Sequence, residues 1–360
     1  MLPLAVALQI RYFTLSAVVI LRFRRNLAIE IRNLDEHPGT VMAIEYARAR
    51  AVPKPWGVVD LFPWNSAGDN GAAVGEVWYE RADSAAAAPS LLLKLLFTSQ
   101  PISIQVHPND AFAHSISQPN GKTEAWCVLS AAPEAKVALG LRRRLTPQRL
   151  REAIVDSSIR ELIEWRTVLA GDVIFVPAGT IHAIGAGLVL AEVQQRSDVT
   201  FRLFDYERRR ELHIENAIAV ADTGPAVFQV HPEQLTPERK LFISNPYFVF
   251  EQIDLSPNSC WSLEADRETW LLVIRGGAAA GSFDIATGET IFAQSDRVNI
   301  HAGAAGMVCL VAYTGGAPIP DLLRRLIQPD SIDIKGALEI RVPASLTIAT
   351  DPQKTAARKH

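Results

Sequence analysis

"GDVIFVPAGTIH", residues 171–182, is the stretch whose reading decides the fold. It runs G-x5-P-x-G-x2-H. An apolar run stops at Pro177, Pro177 and Gly179 make a turn, and His182 enters the next strand. A second stretch, "PISIQVHPND" (101–110), has the alternation of a strand. Ile102, Ile104 and Val106 point one way, while Ser103, Gln105 and His107 point the other, until Pro108-Asn109-Asp110 turns the chain. A hydroxyl, an amide and an imidazole on one strand face need a reason. Glu124, in "NGKTEAWCVLS" (120–130), follows an Asn-Gly turn. His107 and His182, one carboxylate and the Gln105 amide oxygen suit a divalent metal with a position open to water or substrate. With a neutral amide among the ligands, such a site keeps a net positive charge and favours an oxyanion.

Outward from these stretches, "AVGEVWYE", "SLLLKLLF", "LVLAEVQQ" and "VTFRLFDY" read as further strands. Residues 146–165, "TPQRLREAIVDSSIRELIEW", read as one helix, with Thr146 as N-cap and Pro147 at the first helical position. "HIENAIAVAD" (213–222) predicts a second helix. From about residue 236 a new strand series begins that lacks the polar faces of the first. Near the end, "PDLLRRLI" (320–327) predicts a short helix, and "DPQKTAARKH" a disordered tail. Many strands and few helices place the chain in the β-barrel or sandwich class.

The 360 residues are enough for about two domains, and the net charge of −3 excludes the basic footprint of a nucleic-acid binder. Cys127, Cys260 and Cys309 form no C-x-x-C pair and read as core thiols of a reducing cytoplasm. "FTLSAVVIL" (13–21) is too short to span a membrane. It reads as part of a leader, residues 1–41, with Met42 as an alternative start.

With "GKTEAWCVLSA" and "GLVLAEVQQRSDVTFRLFDYER" added, the chain resembles the type I mannose-6-phosphate isomerases, in their short bacterial form, of the cupin superfamily. The resemblance runs from about Lys54 to Gly315. It implies a mainly β fold of two cupin-like (jelly-roll-like) β-barrels in tandem with a small helical insertion. On that reading residues 42–235 form the catalytic metal-binding barrel, with the insertion near 146–165. Residues 236–316 form a second, degenerate barrel that contains His301 but no ligand set, and 317–360 a tail. The resemblance also implies one Zn²⁺ per chain on Gln105, His107, Glu124 and His182. It places Lys94 and Ser103 near a substrate phosphate, and makes Arg202, Glu192 and Lys122 the catalytic residues, with the base open between Glu192 and Lys122. An arginine between Phe201 and Leu203 is costly unless it lines a polar cavity. Ala186 departs from the pattern, standing where many cupins have Asn.

The activity implied is interconversion of mannose 6-phosphate and fructose 6-phosphate through an enediolate, in the cytoplasm. The expected partner is a small-molecule sugar phosphate, with no nucleic acid and no membrane. Two other classes stand beside it: a non-catalytic sugar-phosphate-binding cupin, against which the Lys122, Glu192 and Arg202 set argues, and another metal cupin such as an oxygenase, against which Gln105 argues.

Overall fold

Twelve strands precede residue 205. They are β1 (Ala43–Tyr46), β2 (Arg48–Val58), β3 (Val74–Glu80), β4 (Leu91–Thr98), β5 (Ile104–Val106), β6 (Glu124–Ala131), β7 (Lys136–Leu141), β8 (Ile163–Thr167), β9 (Val173–Val176), β10 (His182–Ile184), β11 (Leu188–Gln195) and β12 (Phe201–Phe204). The computed structural model describes residues 43–64, 71–227 and 230–326. The expected leader, its apolar run and the polar tail lie outside the described residues.

Eleven of the twelve strands form two sheets, ordered β2-β3-β4-β11-β6-β9 and β12-β5-β10-β7-β8. Strict alternation gives the first sheet two different faces. In "LLLKLLF", Leu91, Leu93, Leu95 and Phe97 join one core, while Lys94 and Leu96 face the opposite way. Ala191 and Val193 of β11 and Ala125 and Cys127 of β6 join the same core as Leu91. Glu192 and Trp126, paired across β11 and β6, face with Lys94. The second sheet is sorted likewise: Ile104, Val106, Ala183, Phe201 and Leu203 pack outward under the helices. The intervening Gln105, His182 and Arg202 point inward, toward the first sheet, and are register partners across β5, β10 and β12.

Four short helices cover the outer face: α1 (Asp110–Ser115), α2 (Pro147–Val155), α3 (Ile159–Leu162) and α4 (Ile214–Val220). Thr146 caps α2 by accepting from the Arg149 N–H, with Pro147 at its start, as expected. The single helix expected over 146–165 is broken, however. Ser157 takes a left-handed φ of 66°, Asp156 accepts from the Ser158 N–H, and residues from Ile163 pair with β7. Strand pairing overrides helical spacing there.

The second half contains β13 (Glu233–Gln234), β14 (Arg239–Ser244), β15 (Phe248–Leu255), β16 (Cys260–Ala265), β17 (Thr269–Ala280), β18 (Phe283–Ala286), β19 (Thr290–Gln294), β20 (Asp296–Thr314) and β21 (Leu323–Arg325). With β1 they form one antiparallel sheet. β20 pairs with β16 along its first half and β15 along its second, so the sheet folds over an apolar interior that includes Leu263, Val273 and Ile300. His301 is exposed, with Nδ1 3.0 Å from Cys260 Sγ. In place of the helix expected over 320–327, the described residues form a turn at 320–322 followed by Leu323–Arg325, which pairs with β16. All three cysteines are buried thiols, as expected.

The halves share a core. Leu91, Leu93, Phe97 and Tyr79 pack with Phe242, Phe248, Trp270 and Phe292. Buried Glu268 accepts from the Ser90 and Leu91 N–H groups at 2.6 and 2.8 Å, fixing the start of β4 from the second half. β1 belongs to the far sheet: Ala43 is opposite Gln294 and Tyr46 opposite Ile291. No helix among the described residues is long and apolar enough to cross a membrane.

Candidate metal centre

Between the two sheets of the first half, His107, Glu124 and His182 each offer a ligand atom, and the three atoms lie within 4.8 Å of one another. All three residues are at most 1 % exposed. Pro108 ends the segment that carries His107, and the Pro177–Gly179 turn delivers His182 to the start of β10. The Gly179 N–H donates to His107 O at 2.8 Å, tying the two turns together.

Both imidazoles are held by Nδ1. His107 Nδ1 lies 2.9 Å from Val199 O, and His182 Nδ1 2.9 Å from Thr180 O. A carbonyl oxygen only accepts, so Nδ1 carries the proton and each Nε2 offers a lone pair. The two Nε2 atoms face Glu124, at 3.5 Å from Oε2 and 3.4 Å from Oε1. Burial, with Lys122 and the neighbouring His182 adding to it, keeps the His107 pKa well below the ordinary histidine value. Burial likewise pushes His182 down to about 4. Neutral imidazoles are what a cation needs.

Gln105 presents its amide nitrogen to His182 Nε2 at 3.2 Å, and its Oε1 accepts from Ser103 Oγ at 3.0 Å. A half-turn of the amide exchanges these atoms. The Ser103 hydroxyl accepts as readily as it donates, so the turned amide keeps that partner while its oxygen joins the ligand atoms. Glu124 Oε2 is buried without a hydrogen bond; the Lys122 ammonium, 2.8 Å away, approaches it out of line. Two lone-pair nitrogens, a carboxylate with an unsatisfied oxygen and an amide oxygen fit a Zn²⁺-type ion.

Beside the ligand atoms, charged groups alternate in sign. Lys122 Nζ is 3.2 Å from His107 Nε2. Burial would lower its pKa, but Glu124 and Glu192 outweigh burial and hold it well above the lysine value. Glu192 accepts from the Trp126 indole N–H at 3.1 Å and lies 3.3 Å from Lys94. Burial, and then Glu124, raise its pKa above the usual carboxylate range. Lys94 is 3 % exposed on an interior strand, so it is not the solvent-reaching edge lysine that its apolar neighbours would also allow.

The cavity these groups line has a volume of about 180 Å³. Its wall adds residues that the sequence reading passed over: Lys54, Glu76, Arg210 and His213. Glu76 is paired with Lys54 at 3.1 Å and Lys94 at 3.9 Å, and accepts from Trp78 Nε1 at 2.6 Å. Its signal was available: a carboxylate between Gly75 and Val77 in a buried strand is as anomalous as Arg202 between Phe201 and Leu203. Arg202 also lines this cavity, and its Nε is buried with no hydrogen-bond partner. Burial, then Arg210, lower the Arg202 pKa. A larger hollow of about 740 Å³, between Tyr46–Ala49 and Ala286–Thr290, holds no comparable ligand set among the described residues.

The structure thus brings Lys94, Gln105, Lys122, Glu192 and Arg202 to one cavity. His107, Glu124 and His182 stand beside them, and Ser103 is in contact through Gln105.

No protein-family model matches the chain. It is 38 % identical over 154 residues to the mannose-6-phosphate isomerase ManA of Bacillus subtilis, covering 40 % of this chain and 49 % of that one. The chain spans about half the length of the curated relatives it matches. Among solved structures, the mannose 6-phosphate isomerase from Bacillus subtilis superposes with a TM-score of 0.65 at 22 % identity, over 75 % of this chain and 99 % of that one. A zinc-bound mannose 6-phosphate isomerase does so at 0.62 and 16 % identity, over 76 % and 99 %. The chain therefore has the mainly β fold of the phosphomannose isomerases and shares recognisable sequence with them.

Proposed function

We propose that the chain is a metal-dependent aldose–ketose isomerase that interconverts mannose 6-phosphate and fructose 6-phosphate. The observation that carries this reading is the buried His107–Glu124–His182 cluster, with both Nε2 lone pairs turned inward, beside Glu192 and Lys122 in one cavity. Gln105, His107, Glu124 and His182 would hold one Zn²⁺, which when bound supplies Lewis-acid polarisation of the sugar carbonyl.

The remaining steps belong to the chain's own residues. In the open-chain aldose the C2 proton is acidic because C1 is a carbonyl. Glu192 takes that proton and returns it at C1, while the O2 hydroxyl proton of the enediolate passes to O1, so that C2 becomes the carbonyl. Glu192 suits both steps because a carboxylate with a raised pKa binds and releases a proton at closely matched energies. The Trp126 indole N–H holds the Glu192 carboxylate in place. Lys122, kept protonated by its carboxylate neighbours, places a positive charge beside the oxyanion of the enediolate.

The phosphate needs a cation whose charge is not already matched. Lys94 lies between Glu76 and Glu192, so it offers hydrogen bonds more than net charge, and Ser103 supports Gln105. Arg202 lines the cavity with an unpartnered Nε, so its guanidinium would receive the phosphate, while Arg210 beside it is already paired with the Asp205 carboxylate. His182 and Arg202 stand on strands flanking β5, two strand spacings or about 10 Å apart, so the sugar lies along that line with its phosphate at the Arg202 end.

The test is a coupled assay of fructose 6-phosphate formation from mannose 6-phosphate, with metal analysis of the same sample. Turnover should vanish with a chelator and return with Zn²⁺. His182→Ala should cost at least about 10–100-fold in activity or metal affinity. His114→Ala, whose Nε2 merely meets Pro119 O on the exposed side of α1, should not. Wild-type turnover by folded, metal-stripped His182→Ala protein overturns the reading.

A further inference from the structure

Asp110 closes the "QVHPND" stretch, and no role proposed above requires it. It is not the cap of α1: Asn109 does that, its Oδ1 accepting from the Phe112 N–H. The Asp110 carboxylate is committed elsewhere. Its Oδ1 accepts from the Gly121 N–H at 2.8 Å and from Gln195 Nε2 at 2.9 Å. Gln195, 6 % exposed at the end of β11, passes the contact on: its Oε1 accepts from the Thr123 N–H at 2.9 Å. Both branches therefore end on the backbone of residues 121–123, which position Lys122 and lead into Glu124.

Further bonds pin the rest of that segment. The Lys122 N–H donates to Pro108 O at 2.9 Å and the Gln195 N–H to Thr123 O at 3.1 Å. Thr123 Oγ1 accepts from the Ala178 N–H at 3.2 Å, joining the turn before His182. Asp110 is the only charged side chain in this lattice. Its carboxyl is held below the usual aspartate range against the cost of burial by Gly121, Gln195 and the Tyr247 hydroxyl. Tyr247 lies between β14 and β15, in the second half of the chain, and packs against the core shared by both halves.

We propose that Asp110 is a positioning residue that, through Gly121 and Gln195, sets Lys122 and Glu124 in the metal centre. The inference rests on the metal-centre reading above. A carboxylate oxygen accepting from two donors fixes the 121–124 segment in one place, whereas an alanine leaves the Gly121 N–H and the Gln195 amide to find other partners.

The experiment measures Zn²⁺ affinity by competition with a chromophoric chelator, on the full-length protein, with thermal unfolding as the control for folding. Asp110→Ala should weaken Zn²⁺ binding by about 10–100-fold, the usual cost of losing an outer partner of a metal ligand. Asp110→Asn, which keeps an oxygen for Gly121 and Gln195, should restore affinity to near the wild-type value. With Zn²⁺ saturating, Asp110→Ala should lower kcat while leaving the KM for mannose 6-phosphate within about twofold, because the Arg202 end is untouched. Wild-type affinity and kcat in a folded Asp110→Ala protein would overturn the proposal and leave the metal centre standing. Should Asp110→Ala not fold, wild-type Zn²⁺ affinity in a folded Gln195→Ala protein, which lacks the branch from Asp110 to Thr123, would overturn the proposal. A wild-type protein that binds no Zn²⁺ in this competition removes the metal centre itself.

Discussion

In the proposed mechanism Glu192 is the residue on which the chemistry turns. Its carboxylate is 3 % exposed, oriented by Trp126 and adjacent to Lys94. Glu192→Gln keeps the shape and the acceptor for Trp126 but cannot carry a proton. It should lower kcat by about 10²–10⁴-fold, the usual worth of a positioned acid–base, with little change in KM. The pH dependence follows from the raised pKa. The active base is the ionised form, so kcat/KM should fall as pH drops through a value above 4.5, the ordinary glutamate pKa, with burial the foremost cause of the displacement. A pH–rate profile whose acid limb stays put in Glu192→Gln would assign that limb elsewhere. At this scale the sequence was most legible. Gln105, His107 and Arg202 stood out because a polar side chain at every second place in an apolar strand demands an interior partner. Glu76 broke the same pattern and was overlooked, since its neighbour Trp78 is also polar-tipped and made the strand look half-exposed.

At the scale of elements, the site depends on how closely the turn after β5 meets the segment before β6. Gly121 marks the contact: a Cβ there would lie 2.5 Å from Asn109 C and 2.6 Å from Pro108 O, both backbone atoms. Gly121→Ala must therefore push two site-bearing segments apart. It should cost about 1–3 kcal/mol in stability, as overpacking does, and more in Zn²⁺ affinity than that loss accounts for. Chemical denaturation and chelator competition on the same sample check both parts. Strands such as β3, β4 and β11 were readable in "AVGEVWYE", "SLLLKLLF" and "LVLAEVQQ". The break after α2 and the pairing of β21 were not, because apolar spacing in "SSIRELIEW" and "PDLLRRLI" suits a helix equally well. What settles them is a partner strand remote in sequence, β7 for one and β16 for the other.

For the whole molecule, the tandem arrangement was legible in the two strand series, but the way the halves interlock was not. Leu91, Leu93 and Phe97 look like ordinary strand residues, yet they bury against Phe242, Phe248 and Trp270. A fragment ending at residue 235 would leave that apolar face of the six-stranded sheet in water, along with the Ser90 and Leu91 N–H groups that Glu268 satisfies. Such a fragment should be aggregated or unfolded, whereas residues 42–326 should melt in one cooperative transition by calorimetry. Two separated transitions, or a soluble and folded 42–235 fragment, would show the halves to be independent.

The crossing of β1 to the far sheet bears on how the chain is made. Ala43–Tyr46 leaves the ribosome early, yet its partner β19 comes some 250 residues later, with Tyr46 OH bonding to Glu289 across a separation of 243 positions. During vectorial synthesis the N-terminal strand has nothing to pair with while the metal-binding half is already emerging. Final locking of the two halves then waits for the C-terminal sheet, and it rewards a chaperone that shields an unpaired strand edge until that sheet arrives.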